Sequence, residues 1–104
     1  EAFILNAHLI DNVINASWQI AAEHYLYKDS IRVSINNEAI AHEFILLDES
    51  VINDEFFGES LVLQNTLVVR AVYNSTNLQN AIITIEYQGC AAGKYCYPKQ
   101  QQNI

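Results

Sequence analysis

Apolar and polar residues alternate with a period of two along much of this chain, the pattern of strands with one buried face. Ile14-Asn15-Ala16-Ser17-Trp18-Gln19-Ile20 predicts one such strand, and Ile31-Arg32-Val33-Ser34-Ile35 predicts another that Asn36-Asn37 ends in a turn. Ala41-His42-Glu43-Phe44-Ile45-Leu46-Leu47 is a weaker candidate, and Leu61-Val62-Leu63 predicts a short strand before Gln64-Asn65. Residues 67–73 and 81–87 are rich in β-branched side chains, which suit a pleated, half-buried surface. Asn74-Ser75-Thr76-Asn77 between them has turn chemistry. Ala21-Ala22-Glu23 lends residues 18–27 some helical character, but the flanking alternation predicts strand, bend and strand. Strands at this spacing without an amphipathic helix predict an all-β antiparallel sandwich or barrel.

Composition narrows the function classes. A chain of 104 residues is one domain, large enough for a single core without metal or several disulfides. With 51% hydrophobic and 16% charged residues it is a folded domain rather than a disordered one. Five Lys+Arg against 12 Asp+Glu give a net charge of -7, which argues against a nucleic-acid binder and disfavours an anionic membrane surface. No apolar run reaches the roughly 20 residues that span a bilayer. Glu1-Ala2-Phe3-Ile4 has no basic flank of the kind that opens a signal peptide. His8, His24 and His42 are scattered and the two cysteines lack a second ligand pair, so no metal site is expected. His24 reads as a surface residue.

The candidate chemistry concentrates in Tyr87-Gln88-Gly89-Cys90-Ala91-Ala92-Gly93-Lys94-Tyr95-Cys96-Tyr97-Pro98-Lys99, which holds both cysteines and the only proline. Five residues separate Cys90 from Cys96, unlike the Cys-x-x-Cys of thioredoxin-like sites. As a staple, so small a ring contributes only about 2 to 2.5 kcal/mol. As an exchanging pair it is well placed, since it follows a strong strand directly and sits where loops display functional groups. Gly89 and Gly93 permit close backbone approach or positive φ, and Tyr87, Tyr95 and Tyr97 offer flat docking surface. Two further clusters bear on the choice. In Asn53-Asp54-Glu55-Phe56-Phe57-Gly58-Glu59-Ser60 the aromatics either tuck into the core or shield a reactive group from a mobile loop. In Glu23-His24-Tyr25-Leu26-Tyr27-Lys28 the two tyrosines share a strand face, packing in the core or lining a site. Asn15-Ala16-Ser17 and Asn74-Ser75-Thr76 match a glycosylation sequon, a short and common pattern.

Taken in order, these clusters carry a resemblance. Trp18-Gln19-Ile20, Tyr25-Leu26-Tyr27-Lys28, Ile31-Arg32, Asp54-Glu55-Phe56-Phe57-Gly58, Tyr87-Gln88-Gly89-Cys90 and Cys96-Tyr97-Pro98 together resemble the N-terminal periplasmic domain of the DsbD family of thiol:disulfide interchange proteins. The resemblance implies an immunoglobulin-like sandwich with a redox-active Cys90/Cys96 pair near one sheet end, no cofactor, and a protein-disulfide reductase module in the periplasm. It implies that Cys96 forms mixed disulfides and Cys90 resolves them. Asp54, Glu55, Phe56, Phe57 and Gly58 match a cap loop, with Phe56 as the ring over the pair, and Tyr25 and Tyr27 match site-lining aromatics. Tyr95 and Tyr97 complete the expected lining. The implied partners are a thioredoxin-like C-terminal domain of the same protein and periplasmic proteins such as DsbC and CcmG. Residues 1–104 are then one module of a larger membrane protein, with 99–104 the start of a linker. Two positions depart from the family pattern: its loop glycine falls one place after Gly93, and a second proline often stands where Lys99 is. The competing class is a secreted immunoglobulin-like binding module with an inert disulfide; a copper or zinc carrier would need ligands the chain does not supply.

Overall fold

A computed structural model describes residues 1–74 and 80–104. Among the described residues, eleven strands form two antiparallel sheets. The larger runs β1 (Phe3–Ile10), β2 (Val13–Ile20), β7 (Gly58–Val72), β3 (His24–Tyr27), β9 (Gly89–Ala91) and β10 (Tyr95–Cys96), with β6 (Glu43–Asp54) also on β7. The smaller sheet runs β11 (Gln100–Asn103), β8 (Ile83–Tyr87), β4 (Arg32–Ile35) and β5 (Glu38–Ile40). A 3-10 turn, Lys28–Ser30, carries the chain from β3 in the larger sheet to β4 in the smaller. This is the immunoglobulin-like sandwich that the family resemblance implied.

The alternation does what its period requires. Ile14, Ala16, Trp18 and Ile20 of β2 and Ile83, Ile85 and Tyr87 of β8 all turn inward. They meet Val33, Ile35, Leu67 and Val69 in one core between the sheets, where the Trp18 ring stands edge-on to Tyr87 at 5.7 Å. Fully burying a side chain of this kind contributes about 1.5 to 3 kcal/mol, so this layer dominates the fold's stability. Asn36 and Asn37, with φ of 50° and 71°, form the two-residue turn that joins β4 to β5, as their sequence position predicts.

Three expectations change, and one strand is added. The N-terminal residues form a full strand, β1, closed onto β2 by Asp11 and Asn12 at φ 50° and 63°, a second hairpin turn of the same kind. The two strands expected at 61–63 and 67–73 are one strand, β7. Its break at Gln64-Asn65 is real but marks a change of neighbour: β3 pairs at Val62 and Leu63, β2 at residues 66–72, and Asn65 (φ 64°) makes the kink. The strand expected at 41–47 continues to Asp54, because β7 gives it a partner along its length. Gln100–Asn103, expected to begin a linker, pairs with β8 as β11; the ladder needs only backbone groups, and three of its four residues are exposed. The polar connection and sequon at 74–77 run into residues 75–79, outside the described residues.

The cysteines owe their place to a change of sheet. β8 belongs to the small sheet and β9 to the large one, so the chain crosses the sandwich edge at Gln88. Ser30 secures the crossing: its hydroxyl accepts from the Gln88 N–H at 2.9 Å and lies 2.7 Å from the Tyr27 carbonyl, to which it donates. Gly89 is needed there. A Cβ at this position would collide with the Tyr25 carbonyl and stand 2.7 Å from the Phe3 ring. Gly89→Ala is therefore expected to cost about 3 kcal/mol in urea unfolding of the oxidised domain, the upper range for overpacking. Gly93→Ala, in open space at φ 72°, should cost only about 1 kcal/mol from backbone strain; equal costs would refute the crowding at Gly89.

Candidate redox site

Cys90 and Cys96 face each other in register across the β9–β10 hairpin and form a disulfide. The loop between these strands is Ala92-Gly93-Lys94, tightened by the Lys94 N–H donating to the Ala91 carbonyl at 3.0 Å. Gly93, at φ 72°, supplies the left-handed residue this turn needs. Lys99, at the other departure, lies 3.8 Å from Glu86 of β8, which also holds Arg32 at 2.6 Å.

The pair is asymmetric. Cys90 is fully buried, whereas Cys96 on the terminal strand is partly exposed. β3 pairs Tyr25 with Cys90, and because successive side chains alternate, Leu26 enters the main core while Tyr25 and Tyr27 turn to the cysteines. Tyr25, Tyr27, Val62 and Cys90, with Ile52 and Cys96 against them, make a second small core separate from the first. The Tyr27 oxygen lies 3.0 Å from Cys90 Sγ and 3.4 Å from Cys96 Sγ. Neither sulfur carries a hydrogen in the disulfide and each is only a weak acceptor, so the hydroxyl proton goes to a stronger one.

It goes to Asp54. Asp54 Oδ2 accepts from the Tyr27 hydroxyl at 2.7 Å and from the Tyr25 hydroxyl. Oδ1 accepts the backbone N–H of Phe56 at 2.6 Å and of Phe57 at 3.1 Å. The DEFFG stretch is thus a three-residue hairpin tip: Asp54 closes it as an Asx turn, Asp54 pairs with Gly58, and Gly58 (φ 75°) takes the left-handed position. Burial alone would raise the Asp54 carboxyl, but the two hydroxyls and two N–H groups outweigh it and hold the carboxyl below its usual range. The same arrangement pushes Tyr25 up to about 12, through burial first and the Asp54 bond second, and raises Tyr27 for the same reasons. Both phenols therefore stay protonated donors at neutral pH.

The remaining site residues fall as follows. Phe56 and Phe57 do not tuck into the core; they are 46% and 63% exposed. Phe56 is the ring expected over the pair; the ring set edge-on to Tyr27, at 5.1 Å, is that of Phe57. Glu55 is exposed and close enough to Tyr25 to add to its upward shift. Tyr95 is exposed and packs on Tyr97 at 5.3 Å. His24 is not a free surface residue: it lies partly buried against Phe3 and Tyr97. Val62 and Ile52, the apolar floor of the site, escaped the sequence reading; the alternation of Leu61-Val62-Leu63 gives the face of Val62 but not what it faces. Among the described residues, no group of three or more His, Cys, Asp or Glu could hold a metal ion.

An immunoglobulin-like sandwich that folds a cysteine pair into its own aromatic core defines a class of domain built around a dithiol–disulfide couple. Within that class the chain belongs to the DsbD N-terminal family, described as "Thiol:disulfide interchange protein DsbD, N-terminal", which it matches over residues 1–104. It is 30% identical over 104 residues to the thiol:disulfide interchange protein DsbD of Yersinia pestis (strain Pestoides F), covering 100% of this chain and 17% of that protein. It is likewise 30% identical over 105 residues to DsbD of Escherichia coli (strain K12), covering 100% of this chain and 18% of that protein. The chain thus spans less than a fifth of the length of these relatives. Among solved structures it is similar to the Neisseria meningitidis DsbD N-terminal domain in the reduced form, with a TM-score of 0.84 and 26% identity over 99% of this chain and 82% of that one. A chain from the complex between the DsbD N-terminal and PilB N-terminal domains of the same organism shares the fold, with a TM-score of 0.72 and 24% identity over 100% and 83% of the two chains.

The Asp54 carboxyl sets a pH dependence. Because its native value is depressed, its ionised form stabilises the fold fully above the ordinary carboxyl range of about 4, and the contribution is lost as pH falls through the native value. Asp54→Asn is expected to lose about 2 kcal/mol at pH 7, the scale of bonds to a charged acceptor. The gap to wild type should narrow as urea unfolding is repeated at pH values below about 4; parallel profiles would contradict the assignment.

Proposed function

We propose that this domain transfers electrons between proteins by thiol–disulfide exchange through Cys90 and Cys96. The observation that carries the reading is their asymmetry: a buried cysteine and a partly exposed one share a hairpin and contact the same tyrosine hydroxyl. In the reduced domain the Cys96 thiolate attacks a sulfur of the partner's disulfide, forming a mixed disulfide and expelling a partner thiolate. The Cys90 thiolate then attacks Cys96 Sγ, closes the Cys90–Cys96 bond and releases the partner's second sulfur as thiolate. Two protons leave the domain's thiols and two are taken up by the partner's, so the partner gains two electrons and the domain loses them. A thioredoxin-like domain of the same protein recharges the pair by the reverse sequence.

Tyr27 suits the proton side of this cycle. Its oxygen is placed to accept the proton of a Cys90 thiol, or to donate its own to a thiolate when it turns from Asp54. The ionised Asp54 behind it opposes a second negative charge, which keeps the thiols protonated at rest and slow toward casual oxidants. The Asp54–Gly58 tip acts as a cover that a docking partner displaces, its Phe56 and Phe57 rings shielding the pair. The family resemblance supports a periplasmic location and reduction of partners such as DsbC and CcmG. A fold relative found in complex with the PilB N-terminal domain supports docking of a second protein at such a domain.

Cys90→Ala should accumulate a mixed disulfide with an oxidised partner, visible as a reducible band on non-reducing gels, while Cys96→Ala should give none. Trapping by Cys96→Ala would reverse the roles. A reduction potential below about -300 mV, the range of structural disulfides, would instead favour an inert staple.

A further inference from the structure

His24 takes no part in the exchange steps above, yet it is tied to the segment that carries Cys96. β3 pairs His24 with Ala91, which sets its ring at the exit of the cysteine hairpin. Nδ1 lies 2.8 Å from the Ala22 carbonyl. A carbonyl only accepts, so Nδ1 carries the hydrogen, and the neutral ring is left with Nε2 as an acceptor. The Tyr97 hydroxyl, 3.2 Å away, donates to it. The two rings also stack, 6.0 Å apart and inclined at 26°. Phe3 from β1 stands edge-on to both, at 5.9 Å from His24 and 5.5 Å from Tyr97.

Tyr97 directly follows Cys96. Its backbone is already fixed, the N–H donating to the Gly89 carbonyl at 2.9 Å and the carbonyl accepting from Gln88 Nε2 at 3.3 Å. His24 therefore adds a side-chain hydrogen bond to this residue, beside the ring contacts with Phe3 and Tyr95. On reduction the two sulfurs part, and the space must come from one side. Cys90 is fully buried between β3 and β10 and packs with Tyr25, Tyr27 and Val62, so the displacement falls on the partly exposed Cys96 and on Tyr97 beside it.

We propose that His24 is a positioning residue for Cys96: acting through Tyr97, it holds the outer cysteine against Cys90 and so biases the pair toward the disulfide. The proposal rests on the exchange function above. Reduction adds two electrons and two protons to the disulfide, supplied in the test by dithiothreitol, which closes to its cyclic disulfide.

The test equilibrates the oxidised domain with a series of dithiothreitol buffers at fixed pH and counts thiols by alkylation mass shift. His24→Phe keeps the ring and its stacking but removes both nitrogens. Its equilibrium constant for reduction should rise about three- to tenfold, the scale of one hydrogen bond. Tyr97→Phe, which removes only a hydroxyl, should give the same rise, and the double variant no more than either single one. His24→Gln, whose amide oxygen can accept from Tyr97, should return most of the way to wild type. Wild-type equilibrium constants in His24→Phe and Tyr97→Phe would overturn the proposal, as would fully additive effects in the double variant. Dithiothreitol needs no protein partner, so failure of mixed-disulfide trapping would sink the exchange function while leaving this test decisive.

Discussion

The site depends on how many groups the Asp54 carboxylate serves at once. One oxygen closes the β6–β7 tip through two backbone N–H groups, and the other gathers the hydroxyls of Tyr25 and Tyr27. An ionised carboxylate buried to 4% exposure would be prohibitively costly without such partners. With four donors it becomes the joint that fixes two remote parts of the chain to each other. Tyr27 then extends the joint to both sulfurs, so the cover and the cysteines are linked through two side chains.

That joint works only because the backbone brings its members to one place. The chain leaves the small sheet at Tyr87, crosses at Gln88 and enters the large sheet at Gly89, next to the strand that carries the tyrosines. After Pro98 it returns to the small sheet as β11, pairing Gln100 with Tyr87. The cysteine hairpin is thus a short excursion whose two ends are held together by a ladder in the opposite sheet. Ser30 and Gly89 hold the crossing, one by hydrogen bonds and one by having no side chain.

The sandwich was legible where one face of a strand is buried, as at Ile14, Ala16, Trp18 and Ile20, or Ile83, Ile85 and Tyr87, because burial imposes the period directly. It was less legible where pairing rather than burial makes the strand. β6 has large apolar side chains exposed at Ile45, Leu46 and Val51, and β11 is almost wholly exposed, so neither shows clean alternation. Asp11-Asn12 between two apolar runs was a usable signal for the first hairpin. At the site, the cysteines, tyrosines and DEFFG stretch stood out through the family pattern. His24 did not, since its surroundings come from the β3–β9 register and from Phe3 on a strand distant in the chain. Likewise, Phe57 rather than Phe56 meets Tyr27, a choice made by the turn geometry of a three-residue tip.

Because Cys90 and Cys96 are cross-strand neighbours, their proximity does not rest on the bond between them. Tyr95 pairs with Ala91, and the Tyr97 N–H reaches the Gly89 carbonyl, on either side of the cysteines. These contacts belong to the backbone and not to the sulfurs, so a hairpin that keeps them holds the two thiols at high effective molarity. The second, ring-closing attack of an exchange cycle is then fast relative to any encounter with a thiol in solution. A captured partner would be released by the geometry of the hairpin long before an outside reductant could reach it.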